Sequence, residues 1–108
     1  MTADIAFDAY GFLTDPEAWN EEVAQAIAEK LGLGRLTEDH WNIIGYVREH
    51  YLKTGAIHPP EEICHRFHLD KRCIWQLFKG PLELWKVAGL PYPGAEAYTY
   101  MADMEPPA

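Results

Sequence analysis

Two cysteines and five histidines are the residues of this chain best suited to nucleophilic, redox or soft-ligand chemistry. Both cysteines and two of the histidines crowd into one stretch, Cys64-His65-Arg66-Phe67-His68, with Cys73 a little further on. A thiolate can attack, accept sulfur or bind a metal, and Cys with His suits zinc. Cys64 and His68 are four apart and would share a helical face. Four-ligand zinc sites draw paired ligands from two separate elements, and no second pair exists here, so no metal site is expected. Cysteine is also a small hydrophobe. Cys64 recurs with Ile63 and Phe67, and Cys73 with Ile74 and Leu77, so core packing is the expected role of both, with a relay role as the alternative. Two cysteines are too few for a disulfide scaffold. His40 stands before Trp41 at a helix start and is expected to make local hydrogen bonds. No Ser/His/Asp set assembles by spacing, and no cofactor is expected.

Charge narrows the partners. The 108 residues carry 17 acidic and 9 basic side chains, a net charge of −8. That sign argues against a duplex-binding protein, which gathers cations. The basic residues are concentrated, however. Arg66, Lys71, Arg72, Lys79 and Lys86 fall in a segment whose acidic residues are Asp70 and Glu83. The bland reading is a solvated face; the functional one is a docking patch. Hydrophobic residues are 48% and aromatics 13% of the chain, the balance of a globular domain. The apolar runs are too short to span a bilayer. The N-terminus, MTADIAFDAY, lacks the basic start and apolar run of a secretory signal, so a cytoplasmic monomer is expected.

These residues must be positioned by helices. The segment Ala3–Leu13 has β-favouring residues around Asp8-Ala9-Tyr10-Gly11 and predicts an N-terminal β-hairpin. Asp15-Pro16 predicts the start of a helix carrying Trp19, Val23 and Ile27 and ending at Gly32. Thr37 opens a second, lined by Trp41, Ile44, Val47 and Tyr51, and Gly55 closes it. Pro59-Pro60 starts a third with Ile63, Cys64 and Phe67. Asp70 caps a fourth with Cys73, Ile74 and Phe78. Gly80-Pro81 starts a fifth with Leu84, Trp85 and Ala88. The third and fourth could form a helix-turn-helix presenting Lys71, Arg72 and Gln76 to nucleic acid. Beyond Leu90, Pro91, Pro93, Gly94, Pro106 and Pro107 forbid a long helix. The expected fold is mainly α: a small orthogonal bundle of about five helices over residues 1–93, with the N-terminal hairpin and an irregular C-terminal arm over 94–108.

Several segments in this order resemble the DsrC/TusE/DsvC family of sulfur-relay proteins. They are Gly11-Phe12-Leu13 before a helix with Trp19; Leu36-Thr37-Glu38-Asp39-His40-Trp41; Tyr46-Val47-Arg48-Glu49-His50-Tyr51; Leu77-Phe78-Lys79-Gly80-Pro81; and Lys86-Val87-Ala88-Gly89-Leu90-Pro91-Tyr92-Pro93. The resemblance implies the family fold and docking to a sulfur-pathway protein such as a sulfite reductase or sulfurtransferase. It also exposes a departure. The family's carrier cysteine, near the end of the arm, falls on Glu96, and a second redox cysteine of some members falls on Trp85. Neither side chain can hold a persulfide, which needs a thiolate sulfur.

The expectation is therefore a protein that is not an enzyme by itself: a non-catalytic, partner-binding or regulatory relative whose docking residues are Arg66, Lys71, Arg72, Lys79 and Lys86. One alternative is a sulfur carrier or sulfurtransferase subunit, serving dissimilatory sulfite reductase or a tRNA-thiolation relay, with Cys64 and Cys73 as its thiols. A second is a helix-turn-helix DNA-binding regulator. Trp85 is expected to fill core space.

Overall fold

A computed structural model describes residues 6–108. Six α-helices follow one short 3-10 turn at Pro16–Ala18: α1 Glu21–Lys30, α2 Glu38–Thr54, α3 Pro60–Arg66, α4 Cys73–Phe78, α5 Pro81–Val87 and α6 Ala95–Asp103. Helix α5 is the hub, in contact with α1, α4 and α6, while α3 leans on α4. The core gathers Phe12, Ile43, Ile44, Ile74, Phe78, Val87 and Leu90, all with almost no exposure. No described helix is long and apolar enough to cross a membrane.

The hairpin does not form as expected. Among the described residues it reduces to one isolated antiparallel bridge, Phe7 with Leu13; Ala3, Asp4 and Ile5 lie outside them. Asp8 explains why. Its carboxylate accepts from the N–H groups of Tyr10 (2.9 Å) and Phe12 (3.0 Å), folding the chain into a turn held by a side chain. The first helix is also divided. Asp15 caps only the 3-10 turn, Trp19 returns to an extended conformation, and Asn20 caps α1 by accepting from Val23 N. The break frees the Trp19 indole to donate to the Val87 carbonyl at 2.9 Å.

The larger correction is at the C-terminus. The arm is not irregular: residues 95–103 form α6, making six helices rather than about five. The prolines forbid helix only up to Pro93. Gly94 then serves as N-cap, and Ala97, Tyr98, Met101 and Met104 share one helical face. Met101 is buried and Tyr98 half-buried, so that face is the one turned inward.

Candidate functional site

Trp85 and Glu96 occupy the two positions where the resemblance puts sulfur chemistry, and the fold treats them differently. Trp85 is buried in α5, and its Nε1–H donates to the Pro91 carbonyl at 2.7 Å. Its ring meets Tyr51 edge-on, with centroids 4.9 Å apart. It thus fills core space, as expected, and also fixes the chain leading into α6. Glu96 lies exposed in the first turn of α6, where a carboxylate complements the helix dipole. Neither position offers a sulfur.

The cysteines that remain are in the core, as expected, but they are not free thiols. Cys64 ends up beside Cys73 and the two form a disulfide, with Cα atoms 5.8 Å apart and both residues almost unexposed. The tight connection between α3 and α4 brings them together. His68 takes a left-handed conformation at φ 58°, and the Leu69 N–H donates to the Cys64 carbonyl at 2.9 Å, so the chain reverses within a few residues.

The five basic residues split by their neighbours. The Arg66 guanidinium stands 5.4 Å from the Tyr46 ring. Lys71 and Arg72 precede α4 rather than riding on it. Arg72 is forked onto Asp70, at 3.0 and 3.3 Å, and that hydrogen bond holds the Asp70 carboxyl below its ordinary range. A six-residue α4 without those cations has little of a recognition helix. Lys79 reaches over Gly32 at the end of α1, and Lys86 covers the Phe12 ring beside Gly11. Lys30, which sequence reasoning passed over, stands over Phe7 and joins Lys86 around a hollow floored by Ile27 and Leu31. No cluster of three or more metal-ligating side chains occurs among the described residues.

Several quoted motif residues prove to be joints of the scaffold. His40 is buried; its Nδ1 accepts from the Thr37 N–H at 3.0 Å, so the proton sits on Nε2, which donates to the Leu77 carbonyl at 2.8 Å. It is the local hydrogen-bonding residue expected, with one longer-range bond added. Arg48, which the sequence offers as a motif residue without a role, ties three segments. It stacks on Trp19 at 4.1 Å and donates to the carbonyls of Ala88 (2.7 Å) and Pro16 (3.3 Å). Burial lowers its pKa from the ordinary arginine value, but guanidinium remains charged at any ordinary pH. Gly89 completes the joint: its φ is 69°, and a Cβ there would collide with the Trp19 ring.

This helical body, with α5 at its hub, joints at His40, Arg48 and Gly89, and an arm leading from Pro91, has the fold of DsrC-like proteins. The chain belongs to the DsrC-like family, whose model, described as DsrC like protein, matches residues 1–95. Among curated proteins it is 38% identical to sulfurtransferase TusE of Pectobacterium atrosepticum, over 82% of this chain and 89% of that one. Among solved structures it resembles the oxidized gamma-subunit of the dissimilatory sulfite reductase (DsrC) from Archaeoglobus fulgidus, with TM-score 0.71 and 36% identity over 84% of this chain and 90% of that one. It also resembles the DsrC/gamma subunit of dissimilatory sulfite reductase from Pyrobaculum aerophilum, with TM-score 0.72 and 34% identity over 84% and 85%. These names favour the sulfur-transfer alternative over the non-catalytic and DNA-binding readings. Helix α6 falls almost wholly beyond the family match.

Proposed function

We propose that this chain serves sulfur transfer in the cytoplasm as a docking member of a relay, presenting its cationic residues to a sulfite reductase or sulfurtransferase while carrying no sulfur on its arm. The observation that carries the reading is the pair of replacements within a family body: an exposed carboxylate at Glu96 and a buried indole at Trp85. Persulfide chemistry needs a thiolate, and no thiol is available at either place. Docking needs only the body, and Arg66, Lys71, Arg72, Lys79 and Lys86 gather positive charge on an acidic protein. The partner's association rate is expected to fall with salt, because complementary charge acts chiefly on encounter.

A second reading is sulfur carriage itself, which the relatives' names favour. Its thiols would be Cys64 and Cys73. A dithiol reductant would supply two electrons and two protons to open their disulfide, and a donor persulfide would then pass its outer sulfur to one of them. Incubation of a persulfide-bearing sulfurtransferase with the oxidised chain, and with the chain first reduced and then freed of reductant, separates the readings by mass spectrometry. The docking reading expects no mass gain of one sulfur atom. A reductant-dependent gain on Cys64 or Cys73, formed as fast as on a TusE protein, would overturn it.

A further inference from the structure

The strongest unassigned feature lies away from the basic residues, on the side that α6 builds. A cavity of about 180 Å³ opens between the end of α2, the loop before α3, α5 and α6. Val47, Ile63, Leu84, Trp85 and Met101 line it. Its volume is close to that of an apolar cavity that accepts one benzene ring, so one large side chain fits. Two apolar residues stand in the open around it, Ile57 at 37% and Tyr100 at 62% exposure. Pro59, Pro60, Tyr100 and Met104 also border a second hollow, so the two form one groove. The second hollow is lined by Glu61, Glu62 and Glu105. Among the described residues, no lysine or arginine lines either one. Helix α6 supplies one wall, so the groove depends on a segment almost wholly beyond the family match.

We propose that this groove docks a basic segment of a partner protein, which seats one bulky apolar side chain in the cavity over Trp85 and lays its cations against Glu61, Glu62 and Glu105. The apolar floor supplies a buried anchor point, the kind of contact that dominates small interfaces. The acidic rim selects the sign of the flanking residues. This preference is opposite to that of the cationic residues in the proposed relay docking, and it stands independently of that reading. The molecule then offers two faces of opposite charge to two different partners.

Fluorescence anisotropy with a labelled peptide of sequence KRLFKR tests this on the whole chain. Two controls accompany it: EDLFED, which reverses the charge, and KRAAKR, which removes the anchor. The first is expected to bind at least about tenfold more tightly than either control, as a hot-spot anchor with charge complementarity requires. Glu61→Lys with Glu105→Lys, and separately Tyr100→Ala, should each weaken it about tenfold while circular dichroism stays unchanged, since all three side chains are exposed and their loss acts on docking. Arg72→Glu with Lys79→Glu should not weaken it. Equal binding of the three peptides, no binding of KRLFKR at millimolar concentration, or insensitivity to both groove variants would overturn the proposal.

Discussion

At Trp85 a sequence comparison can say what is lost, but only the packing says what is gained. The indole fills the space beside Tyr51 and holds the Pro91 carbonyl. Trp85→Ala should therefore cost about 3–5 kcal/mol in denaturant unfolding, the range for deleting a buried aromatic. A loss below about 1 kcal/mol would mean the site collapses freely. Tyr92 makes a different prediction. It stacks on Tyr10 at 4.6 Å and lies 5.8 Å from Tyr98. Partial withdrawal from water, then the neighbouring Tyr10, raises its phenol above the ordinary value. The folded state thus keeps this proton where the unfolded chain releases it. Its contribution is full below the unfolded value of about 10 and is lost as pH climbs through the folded one. Stability measured across that alkaline range should decline, and Tyr92→Phe should flatten the decline. The cysteines mark the limit of reading residues singly. Burial was legible from Ile63, Phe67 and Ile74 beside them, but spacing says nothing of how near two side chains come. The left-handed His68 that turns the chain has no sequence signal as strong as a glycine's.

Among the elements, those with two marked ends were the ones the sequence specified well. Helix α2 runs from Thr37 to a left-handed Gly55, and α3 and α5 open on Pro60 and Pro81. The misplaced ones had a competing signal. Asp15-Pro16 looked like the start of α1, yet Asn20 re-caps the chain so that Trp19 can reach Val87 and Arg48. In the arm, prolines outweighed a periodicity that was present in Ala97, Met101 and Met104. The basic residues were likewise visible as a run of charge, but that Arg66 stands by Tyr46 while Lys79 and Lys86 stand by Gly32 and Phe12 follows only from the tertiary fold. Two outcomes belong at this scale. Gly89→Ala combines a positive φ with overlap onto Trp19 and should destabilise by about 3 kcal/mol, measured as a shifted denaturant midpoint. Truncation after Pro93 removes α6 and uncovers Trp85 and Leu84. It should cost about 3 kcal/mol for the lost Met101 and Tyr98 contacts, yet leave docking through the basic residues less affected than Arg72→Glu with Lys79→Glu. Surface-plasmon measurements on the sulfur-pathway partner check the second half.

Over the whole molecule, the disulfide changes what kind of object the chain is. Cys64 and Cys73 are nine positions apart, so their bond closes a small covalent ring around the reversal between α3 and α4. Three of the trypsin-sensitive residues, Arg66, Lys71 and Arg72, are exposed members of that ring. A protease that cuts once at any of them opens the ring without dividing the molecule, because the chain on either side of the cut remains bonded through sulfur. On a denaturing gel such a nicked protein should run as one band until reductant is added, and then as two. The same ring makes the polypeptide a branched graph rather than a thread, and whether that branch exists inside a cell reports directly on the redox state of the compartment that holds it.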